Sequence, residues 1–183
     1  MGHDHAEKWN GMSHLQEGCS SSARNLKMEH VKMTARPNPF ADYNLVSPLV
    51  DFGNAAQDGL DPTIAELIKI RASQLNGCAA CLHMHTADAR KNGETEERIF
   101  LLDAWRESPL FSEAERAVLA WTEALTRLAV GGVRDQAFEA LKAHFTEREQ
   151  IKITLLIGAI NAFNRVNVGF GVRHPGRAPR EAA

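Results

Sequence analysis

Three side chains in one short stretch are well placed to do chemistry: Cys78 and Cys81, in Cys78-Ala79-Ala80-Cys81, and His85 four residues further on. If that stretch is helical they stand at i, i+3 and i+7. At ~100° per residue they fall within about 60° of one another and share a face. Cys81 and His85 form an i, i+4 pair, close enough for the imidazole to act on the thiol. The chemistry this suits is thiol redox. A thiolate, not a thiol, attacks a peroxide oxygen or a disulfide, and an ordinary thiol at a pKa of ~8.5 is mostly protonated at neutral pH. Two features are expected to favour ionisation. Asn76-Gly77 breaks the chain just before Cys78, so Cys78 enters the first turn of a helix, where unpaired N–H groups favour an anion. His85 can accept or share the proton. Once one sulfur becomes a sulfenic acid, a second Cys three residues away condenses with it to a disulfide before irreversible oxidation.

Glu66 is the fourth candidate. It precedes Cys78 by twelve residues, too far along one continuous helix, but the Asn76-Gly77 break lets its helix fold back. Burial there is expected to raise its pKa and make it a proton acceptor; on the residues alone, a solvated Glu on an amphipathic helix is the competing reading.

Glu66, eleven residues, Cys78, two residues, Cys81, three residues and His85 resemble the motif of the AhpD alkylhydroperoxidases, in the carboxymuconolactone decarboxylase family. The surrounding segments IRASQLNGCAACLHMHTADARKNGE, LLDAWRESPLFSEAERAVLAWTEALT and ITLLIGAINAFNRVNVGFG resemble its peroxidase-related branch, over about residues 45–171. The resemblance implies an all-helical fold and a hydroperoxide or general disulfide reductase. It implies that Cys81 attacks the organic hydroperoxide, that Cys78 resolves the product, and that Glu66 and His85 relay protons. It also implies reduction by a dithiol, on a lipoylated or thioredoxin-like protein, and a homo-oligomer, trimer or hexamer, formed by helix packing. In one respect the chain departs from the pattern. AhpD has a His immediately before the second Cys, where this chain has Ala80, so the relay is shorter. His83 lies about 200° round the helix from Cys81 and is expected to point away, to the surface or an interface.

Other functions are weighed on the same residues. Cys78, Cys81, His83 and His85 on one helix cannot surround a zinc ion tetrahedrally, although a site shared between subunits would avoid that objection. A redox-sensing oligomeric module without turnover would use the same thiols. A lactone decarboxylase needs no Cys pair. No cofactor and no metal are expected.

Composition agrees with a globular protein: 183 residues, 44% hydrophobic and 24% charged. A net charge of −2 and 7% aromatic residues give no footprint for nucleic acid. The longest apolar stretch, Ile151 to Val168, is interrupted by Lys152, Asn161, Asn164 and Arg165, so no membrane span is expected. The first residues, MGHDHAEKWN, have no hydrophobic signal core. A cytoplasmic protein without a disulfide framework is therefore expected.

Residues 1–36 hold His3, His5, Cys19 and Ser20-Ser21-Ser22 without an apolar period. They are read as a flexible extension, with Cys19 a free solvated thiol. The helical domain is expected over residues 37–183. From Pro48 a short helix is expected to end near Asp58-Gly59. Asp61-Pro62 opens the next, by an N-cap followed by Pro at N1, and Asn76-Gly77 ends it. A helix from about Cys78 runs to Lys91, and Glu94 to Arg106 form another. Ser112 with Glu115 and Thr146 with Glu149 are capping boxes; the first starts a helix buried through Ala117, Leu119 or Ala120, Trp121, Ala124 and Leu128. Arg134 to His144 follow a turn at Gly131-Gly132. The last helix is expected to bury Ile151, Leu155, Ile160, Phe163 and Val166, and the tail after Gly169 to fray or wrap a neighbour. Asn161, Asn164 and Arg165 need partners in an apolar helix: inter-helix or inter-subunit hydrogen bonds first, substrate second. Trp105 and Trp121 read as core aromatics.

Overall fold

The structure, a computed structural model, describes residues 36–131 and 135–174. Among them there are helices and no strand. Helix α1 spans Tyr43–Gln57, α2 Pro62–Asn76, α3 Ala79–Lys91 and α4 Glu96–Leu101. A 3₁₀ turn at Leu102–Ala104 follows, then α5 Glu113–Thr126, α6 Leu128–Gly131, α7 Asp135–His144 and α8 Glu147–Phe170. The all-helical expectation holds.

The caps explain most of the boundaries. Asp61 accepts from the Ile64 N–H at 3.0 Å and starts α2. Gly77 ends it with φ at 65°, a left-handed conformation that Gly adopts without a Cβ clash. Both capping boxes form. The Ser112 N–H donates to Glu115 at 2.7 Å, and the Thr146 N–H to Glu149 at 2.8 Å.

Three expected boundaries move. Helix α1 begins at Tyr43, not Pro48, because Asp42 caps it by accepting from the Asn44 N–H. Pro48 then lies inside the helix and cannot donate to the Asn44 carbonyl, which instead accepts from the Ser47 hydroxyl at 3.5 Å. The helix expected over Glu94 to Arg106 is α4 followed by the 3₁₀ turn, with Leu102 and Trp105 still buried. Leu128, expected on the buried face of α5, is exposed, since α5 ends at Thr126.

Helix α2 is the centre of the fold, packed against α3, α5 and α8, while α1 lies along α8. Every residue from Ile64 to Ser73 is buried. Burying each of its large apolar side chains contributes about 1.5–3 kcal/mol. Helix α8 has the length and composition to cross a membrane, but it works here as a core helix. It buries Ile153, Leu156, Ile157 and Ile160, and carries hydrogen-bonded asparagines into the core. Ile151 and Leu155, expected on the buried face, are exposed.

Of residues 1–36 only Arg36 is described, and it donates to the Gly169 carbonyl at 2.6 Å. His3, His5 and Cys19 lie outside the described residues, as do Gly132, Arg134 and everything from Pro175. The last helix runs to Phe170, one residue past Gly169, and ends at a left-handed Gly171.

Candidate active site

Cys78 is the N-cap of α3, and its sulfur accepts from the Cys81 N–H at 3.4 Å. This follows from the left-handed Gly77, which turns the chain from α2 into α3 between the two helices. Both cysteines are free thiols, their sulfurs 2.6 Å apart. His85 follows one turn after Cys81 on the same buried face. Helix α2, packed against α3, brings Glu66 to His85, with Oε2 3.2 Å from Nδ1. The four candidates named from the sequence therefore form two contacting pairs, Cys78 with Cys81 and Glu66 with His85, and Cys81 and His85 line one cavity.

Lys69 joins them. Its Nζ donates to Glu66 Oε1 at 2.6 Å and to Gln57 Oε1 of α1 at 3.0 Å. This overturns the expectation of a raised Glu66 pKa. Burial does push the carboxyl up, but hydrogen bonds from His85 and Lys69 and the Lys69 charge outweigh it, and Glu66 lies below its ordinary value. Glu66 is an ionised partner rather than a proton acceptor. A carboxylate at Nδ1 calls for an N–H there, so Nε2 is the nitrogen left to take up or release a proton.

Cys81 departs from expectation in the other direction. Burial, and then the hydrogen bond with Cys78, raise its pKa from 9.0 to about 11, against opposing hydrogen bonds from Asn167 and Asn164. The resting thiol is therefore neutral, and its ionisation needs an acceptor nearby when it reacts.

Cys81, His85 and Lys69 line a cavity of about 550 Å³, among whose walls are Val50, Leu156, Ile160 and Phe163. Both cysteines are 1% exposed, and of the two only Cys81 is among the residues lining this cavity.

His83 is exposed, as expected, but does not point away. It lines the same cavity and stacks on His174, with ring centroids 4.7 Å apart. The 200° offset along α3 is cancelled because the chain after α8 comes back over that helix. Among the described residues, no cluster of three or more His, Cys, Asp or Glu side chains is arranged to hold a metal ion.

The asparagines of α8 find their partners between helices. Asn76 donates to Asn161 at 3.0 Å and to Asn164 at 2.9 Å, and Asn164 donates to Ser73 at 3.0 Å. Arg165 folds back onto Asn161. Asn167, which sequence reasoning missed, donates from Nδ2 to the Cys81 sulfur at 3.1 Å. Its Oδ1 is buried without a partner, an arrangement that costs about 1–3 kcal/mol. The signal was present in the sequence: Asn167 continues the three-residue spacing of Asn161 and Asn164. Trp105 and Trp121 are core aromatics with satisfied N–H groups, donating to Glu123 at 2.8 Å and to Thr154 at 3.0 Å.

The sequence profile of the carboxymuconolactone decarboxylase family matches residues 47–124. The uncharacterized protein YdfG of Bacillus subtilis is 43% identical over 117 residues, 64% of this chain and 80% of that protein. A crystal structure of a protein of unknown function from Agrobacterium tumefaciens, named as a candidate antioxidant defence protein AhpD, matches with a TM-score of 0.75 at 44% identity, over 79% of this chain and 100% of that one. An uncharacterized peroxidase-related protein from Ralstonia eutropha, described as an alkylhydroperoxidase AhpD core, has a TM-score of 0.63 at 20% identity, over 72% and 71% of the two chains, a likeness of fold alone. The chain belongs to the AhpD and carboxymuconolactone decarboxylase family.

Proposed function

We propose that this protein is a thiol-dependent hydroperoxide reductase. The observation that carries the reading is the single sulfur, Cys81, at the wall of an apolar cavity, with Cys78 2.6 Å behind it. The Cys81 thiol gives its proton to His85, whose ring is oriented by Glu66. The thiolate attacks the terminal oxygen of ROOH, the O–O bond breaks, and the leaving alkoxide takes a proton from His85 and departs as ROH. Cys81 is left as a sulfenic acid. The Cys78 thiol attacks it, an S–S bond forms and water leaves. A dithiol reductant, on a lipoylated or thioredoxin-like protein in the cytoplasm, then returns both cysteines to thiols by exchange. The exposed apolar side chains Phe52, Phe138, Ile151 and Leu155 support a homo-oligomer, a trimer or hexamer.

The test is an assay of purified protein against cumene and tert-butyl hydroperoxide, with dihydrolipoamide, thioredoxin-type and glutathione-type reductants in parallel. Sustained consumption that disappears in Cys81→Ser is expected. No consumption with any reductant refutes the reading.

The raised Cys81 thiol favours a second reading, a redox sensor oxidised once and slowly. It predicts stoichiometric loss of two thiols without continued peroxide consumption.

A further inference from the structure

We propose that Asn167 is a further catalytic residue of this site, one that grips both reactants with the two ends of its amide. Nδ2 holds the Cys81 sulfur, and Oδ1 receives the O–H of a protonated organic hydroperoxide. The inference rests on the hydroperoxide reading above.

Asn167 is 8% exposed, lines the cavity beside Cys81, and donates to its sulfur at 3.1 Å. Among the described residues, its Oδ1 is the buried side-chain nitrogen or oxygen left without a hydrogen-bond partner. Asn164, one turn earlier, uses both ends of its amide on Ser73 and Asn76. A fold that satisfies one asparagine completely and leaves its neighbour half satisfied, next to a nucleophilic sulfur, calls for a donor from outside the protein. The donor has to reach Oδ1 while the rest of the molecule sits against Val50, Leu156, Ile160 and Phe163.

An organic hydroperoxide has that shape. Its only donor is on the terminal oxygen, which is also the atom the thiolate attacks. Accepting that O–H aims the terminal oxygen at the sulfur and leaves the O–O bond pointing toward the apolar wall. When the S–O bond forms, two electrons pass from sulfur into the breaking O–O bond and the alkoxide leaves with a proton from His85. The hydrogen held by Oδ1 stays on its oxygen, now the sulfenic acid hydroxyl. One hydrogen bond thus persists from substrate to product, and the Nδ2 contact favours the sulfur in its anionic form before attack.

The test compares two reagents in a Cys78→Ser background, where only the first step is seen. Cumene hydroperoxide brings an O–H; methyl methanethiosulfonate is an electrophile that the same thiolate attacks, releasing methanesulfinate, and it carries no donor. The ratio of their second-order rate constants at one pH cancels any change in thiolate fraction. Asn167→Leu should slow both reactions and lower the ratio of hydroperoxide to thiosulfonate by about tenfold. Asn167→Ala, run beside it, should do the same without added bulk. Asn167→Asp should slow both reactions, because a carboxylate opposes the thiolate, yet hold the ratio within about threefold, because its oxygen still accepts the O–H. An unchanged ratio in Leu and Ala overturns the proposal, as does an Asp ratio as low as theirs. A background protein that reacts with the thiosulfonate but not with the hydroperoxide refutes the peroxidase reading, and this inference with it. That result is distinct from a failure of Asn167 alone.

Discussion

Glu66 Oε2 and His85 Nδ1 meet at 3.2 Å although they lie on different helices, nineteen residues apart. The carboxylate is held on its other oxygen by Lys69, so it stays charged and fixes the ring. Replacing it with Gln keeps the shape and removes the charge that supports an imidazolium. Glu66→Gln is expected to lower kcat/KM for organic hydroperoxide by on the order of a hundredfold, the scale of a general acid–base contribution. His85→Phe is expected to do the same. Both should also slow alkylation of Cys81 at neutral pH. If turnover and alkylation both stay within twofold of the parent, the pair is no part of the relay.

The architecture was written into the sequence where local chemistry decides. Asp61-Pro62, Ser112 with Glu115 and Thr146 with Glu149 start their helices where expected. The Cys78, Cys81 and His85 face was legible because it depends only on helical spacing. What lay outside the sequence depends on tertiary packing. Pro48 is the local exception: it sits inside α1 because Asp42 caps the helix upstream and the Ser47 hydroxyl takes over the orphaned Asn44 carbonyl. Lys69 carries no signal of its own in the sequence, and it joins the site through Glu66 on its own helix and Gln57 of α1. The direction of the Glu66 shift is hidden in part for the same reason: of the two hydrogen-bond partners that lower its pKa, Lys69 sits one turn along α2 but His85 arrives from α3 only in the folded chain.

Cys81 sets the alkaline behaviour. Its folded pKa is raised above 9.0 by burial and by Cys78. A thiol raised in this way contributes stability that is fully present below its unfolded value and is lost as pH climbs through the folded one. Denaturant midpoints are therefore expected to fall between about pH 9 and 11, and less so in Cys81→Ala. The alkylation rate at Cys81 should rise about tenfold per pH unit above neutrality without a plateau before pH 10. A plateau near pH 7 contradicts the buried, neutral resting thiol.

Glu123 is one of the carboxyls that act on the acid side, with Glu66 and Glu115. It is buried and accepts from Arg71 and from Trp105 at 2.8 Å, with Arg106 also 2.8 Å away. Burial raises its carboxyl, but the Trp105, Arg106 and Arg71 hydrogen bonds and the Arg71 charge bring it below 4.5. A carboxyl lowered on folding contributes stability above its unfolded value, and that contribution disappears as pH falls through the folded one. Glu123→Ala leaves Arg71 buried beside Trp105 with only Asp103 and Gln74. It is expected to cost about 3–5 kcal/mol in urea unfolding at pH 7, with the deficit shrinking below pH 4. A cost under 1 kcal/mol at pH 7 contradicts the accounting.

The exposed apolar face tests assembly. Ile151 and Leu155 of α8 lie beside Phe52 of α1, and Phe138 of α7 is close by the same pair. Isolated apolar residues on a surface are ordinary, but a contiguous patch across three helices is the kind of surface the proposed homo-oligomer would bury. Ile151→Asp places a charge at its centre. Sedimentation is expected to give an oligomer for the parent and a smaller species for the variant, with the helical circular dichroism signal unchanged. Identical sedimentation for both would locate assembly elsewhere.

The two cysteines are equally buried but only Cys81 lines the cavity, and so their substitutions should differ in kind. Cys81 lines the cavity and Cys78 is not among its lining residues. Cys81→Ser removes the nucleophile and is expected to abolish peroxide reduction, with no thiol lost after one equivalent of cumene hydroperoxide. Cys78→Ser keeps the nucleophile and removes only the group that closes the disulfide. It should react once, at close to the parental rate, and stop as a sulfenic acid that dimedone labels at Cys81, a mass increase found in neither the parent nor Cys81→Ser. Excess peroxide should then carry that sulfur on to sulfinic acid, because nothing intercepts it. If dimedone instead labels Cys78 in the Cys81→Ser protein, the order of attack is reversed, and the cavity does not select the sulfur that reacts.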